Sequence, residues 1–340
     1  MRPDLQDKVN KSIQRLQTFC PPEGYYLAFS GGKDSCVCKA LLDMAGCKYD
    51  AHYRVTGIDP PELVKFIKEF HPDVSREIPR YADGKPVTMW NLIIKHKTPP
   101  TRTIRYCCAE LKEDGGDGRM VVTGVRWAES KNRRDNQGEV LIRTSPKQAM
   151  DFDGNKDFKS NQKGGVILVN DNEESRRMIE QCYKRSKTTV NPIIEWSDRD
   201  VWDFIKEYDI PYCSLYDEGF ERLGCIGCPM ASRKGRDREF ARWPKTLNAY
   251  LLAFDKMLRE RERRGLTNGL WGDTAESVYH WWMEDGVLPG QVNMFEEGDD
   301  DEQIKTLLLD GIVDEETGEV IFCNDTRKAI EQLQRERTIL

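Results

Sequence analysis

The chain has no apolar run long enough to cross a bilayer as a helix, which takes roughly 20 residues. Its start, Met1-Arg2-Pro3-Asp4, has no secretion-signal core. Together these absences lead to the expectation of a cytoplasmic protein with no membrane partner. There is no excess of positive charge either: 32% of residues are charged, yet the net charge is -6. A field of that sign does not favour nucleic acid, so any such contact would need a local basic patch. No segment repeats. Cysteine, by contrast, is plentiful, with 11 residues. Disulfides would be out of place in a reducing compartment, so metal binding or catalysis is expected of some of them. A length of 340 residues leaves room for a full α/β core and an added helical part.

The central stretch is Tyr25-Tyr26-Leu27-Ala28-Phe29-Ser30-Gly31-Gly32-Lys33-Asp34-Ser35. Tyr25 to Phe29 read as a buried strand, and Ser30 to Ser35 as a tight turn. Val37, Ala40, Leu41 and Met44 then repeat with helical spacing up to Gly46. A turn that opens a helix offers free N–H groups and a positive dipole end to an anion. Gly31 and Gly32 let a phosphate approach the backbone, Ser30 and Ser35 add hydroxyls, and Lys33 adds charge. The common ATPase loop needs a Gly where Leu27 stands and Ser or Thr where Asp34 stands. Ser-Gly-Gly-Lys-Asp-Ser instead resembles the pyrophosphate-binding (PP) loop of the ATP pyrophosphatases, which split ATP between its α and β phosphates. An ordinary strand–turn–helix connection is the plainer alternative.

Residues 5–19 read as an amphipathic helix with Val9, Ile13 and Leu16 on one face. Asp50 to Thr56 read as a second strand, followed by a helix that begins in Ile58-Asp59-Pro60-Pro61. Alternation of strand and helix implies a parallel sheet whose ligands sit at the strands' carboxyl ends. Thr56-Gly57-Ile58-Asp59-Pro60-Pro61-Glu62 resembles the second-strand motif of the phosphoadenosine phosphosulfate reductase family, although Thr56-Gly57 alone equally fits a plain turn. The resemblance covers roughly residues 20–230. It implies the adenine nucleotide alpha hydrolase-like fold, a parallel twisted α/β sheet with helices on both faces.

Cys107-Cys108 and Cys225-Ile226-Gly227-Cys228 supply four thiols. Four thiolates suit an iron–sulfur cluster, and four cysteines also suit tetrahedral zinc. An adjacent pair followed by Cys-x-x-Cys resembles the [4Fe–4S] arrangement of adenylyl-sulfate reductases, with Lys112 where that family has a lysine near its cluster. Arg119 to Val125 read as a strand leading into Gly124-Val125-Arg126, Glu129-Ser130 and Arg133. This resembles the family's phosphate- or sulfate-binding segment, and arginine suits such oxyanions. A solvated charged loop is the alternative. Residues 135–165 read as a long, partly mobile loop.

Thr189 to Ile194 read as a strand. Ser197 caps a helix with Asp200 three residues on, and Val201, Trp202, Ile205 and Tyr208 line it. Trp196, Trp202 and Cys213 are expected in the core. The run from Asn191 to Asp217 resembles the end of the reductase-family domain and delivers Cys225 and Cys228. Three parts are expected: a nucleotide-binding domain over 1–230 with the iron–sulfur site, a helical appendage over 231–295, and an acidic break, hairpin and terminal helix over 296–340. Ser232 to Arg264 read as a charged helix, mostly a solvated face. Its basic clusters, Arg233, Lys234, Arg236, Arg238 and Arg242, then Arg259 to Arg264, are the best candidates for nucleic acid.

Sulfonucleotide reductases attack sulfur with a cysteine in a C-terminal tail. Here Cys323, after Val320-Ile321-Phe322, lacks the family's Glu-Cys-Gly context. The full Ser30-to-Ser35 loop, conversely, favours ATP with Mg²⁺. The combination resembles the pyrophosphatase subunit of DNA phosphorothioation systems. The favoured expectation is an ATP pyrophosphatase that adenylylates an acceptor, small molecule or nucleic acid, for sulfur chemistry, with an electron or sulfur donor protein as partner. An adenylyl-sulfate or phosphoadenylyl-sulfate reductase and a non-enzymatic redox sensor are the alternatives. Lys33 and Arg126 are expected to be catalytic. The nucleotide is assigned to Ser30, Gly31, Gly32, Lys33, Asp34, Ser35, Thr56, Gly57, Gly124, Arg126, Ser130 and Arg133, with Asp34 either helping to hold Mg²⁺ or capping the helix. The cluster is assigned to Cys107, Cys108, Cys225 and Cys228.

Overall fold

The computed structural model describes residues 2–113, 115–143, 152, 154–161, 164–268 and 271–284, and the backbone of Ile312–Val313 and Val320–Ile321. Eight strands form one sheet: β1 (Tyr25–Ala28), β2 (Tyr49–Arg54), β3 (Ser75–Glu77), β4 (Met120–Val122), β5 (Val140–Arg143), β6 (Phe158–Ser160), β7 (Gly165–Leu168) and β8 (Lys187–Val190). Their order is β3-β2-β1-β4-β8-β5-β7-β6. The first five in that order run parallel, and β5, β7 and β6 extend the sheet antiparallel.

The chain winds outward from β1 through β2 to β3, then returns to place β4 on the other side of β1. The order therefore reverses between β1 and β4. Right-handed crossovers in opposite directions put helices on opposite faces and open a crevice at that reversal. The helices of this part are α1 (Pro3–Thr18), α2 (Lys33–Ala45), α3 (Pro61–Phe70), α4 (Met89–His96), α5 (Tyr106–Leu111), α6 (Lys131–Asn136), α7 (Glu173–Cys182) and α8 (Asp198–Glu207). Proline at the start of α1 and α3 sacrifices no hydrogen bond, because first-turn N–H groups have no helical acceptor. Gly46 closes α2 in the left-handed conformation, φ 66°.

α1 turns Leu5, Val9 and Leu16 inward, accompanied by Ser12 and Arg15. Those two polar groups are not stranded: both donate to the Pro192 carbonyl, at 2.7 Å each. Ser197 caps α8 as expected, accepting from the Asp200 N–H. Val201, Phe204 and Ile205 face the core, whereas Trp202 is only half-buried and Tyr208 is exposed. Trp196 and Cys213 are buried.

Two expectations change. Residues 135–165 are not simply a loop, because β5 and β6 lie within them. β5 is short but wholly apolar over Val140-Leu141-Ile142, and pairing with both β7 and β8 hides those side chains among polar neighbours in the sequence. Ser232 to Arg264 is not one helix but α9 (Arg233–Arg242) and α10 (Pro244–Arg263). Pro244 cannot donate to a preceding turn, so a helix arriving from Arg233 ends before it.

The described chain forms two compact units. One holds Met1–Leu92, Arg105–Cys228 and Glu239–Thr246, and the other Ile93–Ile104, Pro229–Arg238 and the described residues from Leu247 on. The second is packed around Trp282 of α11 (Ala275–Met283), whose ring lies 4.9 Å from Tyr250 and 5.5 Å from Phe254. Arg236 is fully buried there and donates to the Trp282 and Met283 carbonyls at 2.8 and 3.0 Å. Strands β9 (Ile312–Val313) and β10 (Val320–Ile321) pair antiparallel, as the expected hairpin requires. Its turn, the acidic stretch, Cys323 and the terminal helix lie outside the described residues. Among the described residues no helix is long and apolar enough to cross a membrane.

Candidate active site at the sheet reversal

The turn after β1 is shaped by its own side chains. Ser35 Oγ donates to the Gly32 carbonyl at 2.8 Å and lies 3.3 Å from Ser30 Oγ, drawing the two ends of the loop together. Gly31 has φ +74°, and a Cβ there would stand 2.7 Å from Ile67 of α3. It is required by both backbone and packing. At Gly32 a Cβ would find only Ser30 Oγ and the Tyr216 hydroxyl, each at 3.5 Å. That hydroxyl accepts from the Lys33 N–H at 2.9 Å, at the start of α2 where an anion would bind. Burial pushes the Tyr216 phenol well above its ordinary range, so it stays neutral.

Two cations converge beside this loop. Lys33 is buried and donates from Nζ to the Glu221 carbonyl at 3.1 Å. Arg126, also buried, follows β4. It donates from Nε to Asp34 at 2.7 Å and from Nη2 to Asp198 Oδ1 at 3.0 Å. Lys33 Nζ lies 3.3 Å from the same Asp198 oxygen. The loop after β1 and the segment after β4 thus aim their charges at one point, on either side of the sheet reversal. Gly124 permits the approach: a Cβ there would stand 2.9 Å from Asp34 Cβ and 3.0 Å from its carbonyl.

Other expected nucleotide residues have structural partners. Thr56 is buried and accepts from the Ile58 N–H at 3.2 Å, and Gly57 has φ +76°, so the pair forms the turn after β2. Ser130 caps α6 by accepting from the Arg133 N–H, and Arg133 pairs with Glu129 at 2.7 Å. Asp34 holds Arg126 in place. Sequence reasoning missed Asp198 and Tyr216. Asp198 had a signal: directly after a capping serine, an acidic residue opens α8 and its N–H groups.

All four cysteines assigned to the cluster belong to the first unit, and all are free thiols. Cys107 and Cys108 lie on α5, whereas Cys225 and Cys228 bracket a turn in which Gly227 takes φ +73°. That turn is fixed from two sides. Ile226 N–H donates to the Ile58 carbonyl at 2.9 Å, and Gly227 N–H to Glu239 at 2.7 Å. Cys107 donates to Cys108, and with Arg105, whose Nη2 is 3.2 Å from the sulfur, outweighs burial to hold the Cys108 thiol down to about 5. Burial pushes Cys225 up to about 12, against the pull of Lys112. Burial also works against the Lys112 ammonium, but Cys225 and Asp59 beside it keep its pKa above the usual lysine range. A low-pKa thiol, a nearby cation and four cysteines outside any disulfide fit a thiolate-bound centre of net negative charge. Among the described residues no three of these groups are gathered tightly enough to hold a single ion.

The model of the phosphoadenosine phosphosulfate reductase domain matches residues 24–231. An uncharacterized protein of Methanocaldococcus jannaschii is 24% identical over 249 residues, 73% of this chain and 52% of that protein, so the chain spans about half of that relative. An adenosine 5'-phosphosulfate reductase of Burkholderia cepacia is 36% identical over 64 residues, 19% of this chain and 26% of the reductase. Among solved structures, the phosphate complex of a phosphoadenylyl-sulfate reductase from Candida auris aligns over 66% of this chain and 96% of its own. Its TM-score is 0.37 and its identity 14%. By the match over 24–231, the chain belongs to the phosphoadenosine phosphosulfate reductase family of the PP-loop superfamily, whose members process nucleotides.

Proposed function

We propose that this chain is an ATP pyrophosphatase that transfers the adenylyl group of ATP to an acceptor for sulfur chemistry. The observation that carries the reading is the convergence of Lys33 and Arg126 on one point beside the loop after β1. In the reaction a nucleophilic oxygen of the acceptor attacks the α phosphorus. The bond from that phosphorus to the bridging oxygen breaks, and pyrophosphate leaves with the electron pair. Its charge would grow beside Lys33 and Arg126, whose fixed positive charges lower the barrier without reorganisation. Mg²⁺, entering with ATP, would neutralise part of the charge on its phosphates. Ser30, Gly31, Gly32 and Ser35 line the pyrophosphate site, and Gly124 brings Arg126 to it. Asp34 acts as the positioning residue for Arg126.

Cys107, Cys108, Cys225 and Cys228 would hold the [4Fe–4S] cluster, with Lys112 balancing its charge. Such a cluster, when bound, supplies one-electron chemistry. A second reading, sulfonucleotide reduction, draws support from the stretch shared with adenosine 5'-phosphosulfate reductases.

One assay separates the readings. Protein purified under anaerobic conditions is given ATP labelled at the α phosphate, and in parallel adenylyl sulfate or phosphoadenylyl sulfate with a dithiol. Release of AMP-linked product with pyrophosphate supports the first reading. Sulfite release without pyrophosphate supports the second, and neither product overturns both.

A further inference from the structure

A cleft of about 410 Å³ opens beyond the end of β2. Gly57 lines it and none of the residues from Ser30 to Ser35 does, so it lies beside the turn after β2 rather than in the loop after β1. Its walls are largely apolar: Tyr53 from β2, Val55 just beyond it, and Pro61 and Val64 from α3. Lys65 and Lys68 stand on its rim. They are three residues apart on one helix and so share a face. Among the described residues neither forms an ion pair, whereas Lys33, Lys39 and Arg126 all do. The cleft also adjoins the cysteine site. Tyr53 donates to Asp59 at 2.6 Å, Asp59 lies on the wall, and the same carboxylate acts on Lys112 and Cys225.

An open, largely apolar groove with two unpaired ammonium groups beside it suits an occupant that is apolar in its body and anionic at one end. We propose that the cleft binds the acceptor, and that the acceptor is a small molecule with a flat or apolar body and an anionic group. The body lies against Val55, Pro61 and Val64, and the carboxylate or phosphate meets Lys65 and Lys68. This rests on the adenylylation reading and narrows it. A nucleic-acid acceptor would need a basic surface, and this cleft offers two charges around an apolar hollow.

The test uses the full chain and fluorine NMR of 4-fluorobenzoate and 4-fluorophenyl phosphate, with neutral 4-fluorobenzamide as control. Both anions are expected to broaden and shift on binding, and the amide is not. Lys65→Glu/Lys68→Glu, at exposed positions, should weaken both anions at least tenfold. Val64→Trp, which fills the hollow, should do the same. Lys33→Ala should leave 4-fluorobenzoate binding intact. Equal binding of amide and anions, no binding, or binding indifferent to the double substitution each overturns the proposal. Pyrophosphate release measured on the same samples keeps the two readings apart. Anion binding without pyrophosphate release sinks only the ATP reading, and pyrophosphate release without anion binding sinks only the cleft.

Discussion

The Lys33 ammonium lies 3.3 Å from Oδ1 of Asp198, with the lysine side chain 6% exposed and the aspartate 64%. Arg126 reaches the same oxygen. A solvent-facing carboxylate therefore occupies the point where two buried cations meet. A phosphate oxygen drawn to the same two cations is expected to compete with it. Asp198→Asn is expected to tighten pyrophosphate binding by calorimetry. The gain should be roughly two- to fivefold, because an exposed partner contributes only about 0.2–1 kcal/mol. Weaker binding would instead make Asp198 part of the phosphate site.

Lys33 itself should show the opposite sign. A charge-assisted hydrogen bond to phosphate contributes about 1.5–3 kcal/mol. Lys33→Ala should cost that much in ATP affinity or in kcat/KM, with an unchanged melting curve. A folded variant with unaltered affinity and turnover removes Lys33 from the site.

The four thiols lead to a colour. Anaerobically purified protein should be brown, with the broad visible absorption of an iron–sulfur centre and about four irons per chain. Cys225→Ser should bleach it. Stoichiometric zinc without iron would contradict the assignment.

Much of this was legible in the sequence because the relevant residues are neighbours. Ser30 to Ser35 lie in one turn, so strand, loop and helix could be read directly. Cys107-Cys108 and Cys225–Cys228 carry their spacing on the surface of the sequence. Convergence across long separations was not legible. Nothing local indicates that Arg126 meets Lys33 at Asp198, or that Ser130 caps α6. β5 escaped detection because three apolar residues in a polar stretch become a strand only when β7 and β8 flank them. The basic cluster after Cys228 misled for the same reason. Composition counts Arg236 and Arg261 as surface charge, whereas both are buried.

Asp200 should make stability sensitive to acid. Its carboxylate is nearly inaccessible, yet Lys8 and Arg2 donate to it at 2.6 and 2.5 Å and the Ser197 N–H at 2.8 Å. Burial alone would raise its pKa, but these donors together carry it well below the usual carboxylate range. A group depressed on folding stabilises the fold above its unfolded pKa, near 3.9. That contribution is lost as pH falls from there through the folded value. Asp200→Asn should therefore lower stability at pH 7, with the gap to wild type closing below about pH 4. Weakening the charge-assisted bonds to Lys8 and Arg2 should cost about 1.5–3 kcal/mol. A gap that stays constant through the acid range would mean the charge is not what matters.

Arg236 decides how the basic stretch after Cys228 is to be read. It was one of five cations that, taken as a surface, suited phosphates. It is instead buried in the second unit, its guanidinium donating to the carbonyls of Trp282 and Met283. Those carbonyls end α11 and have no helical N–H to accept from, so the arginine both satisfies them and opposes the negative end of the helix. Removing it strands two buried acceptors and opens a cavity beside Trp282. Arg236→Ala should accordingly destabilise the helices around Trp282 by about 2–4 kcal/mol, seen as an earlier unfolding step by circular dichroism and Trp fluorescence. Arg242, on the same helix, is drawn to Glu62 at 2.8 Å and Glu218 at 3.3 Å. Of the remaining three, Arg233, Lys234 and Arg238, the first two open the helix and serve as the fair test of nucleic-acid binding. Replacing both by alanine should leave the fold intact and pyrophosphate release unaltered, with no steep salt-dependent affinity for DNA or RNA to lose. A wild-type affinity that falls sharply with salt, and a slope flattened in the double variant, would restore the basic surface as a phosphate track.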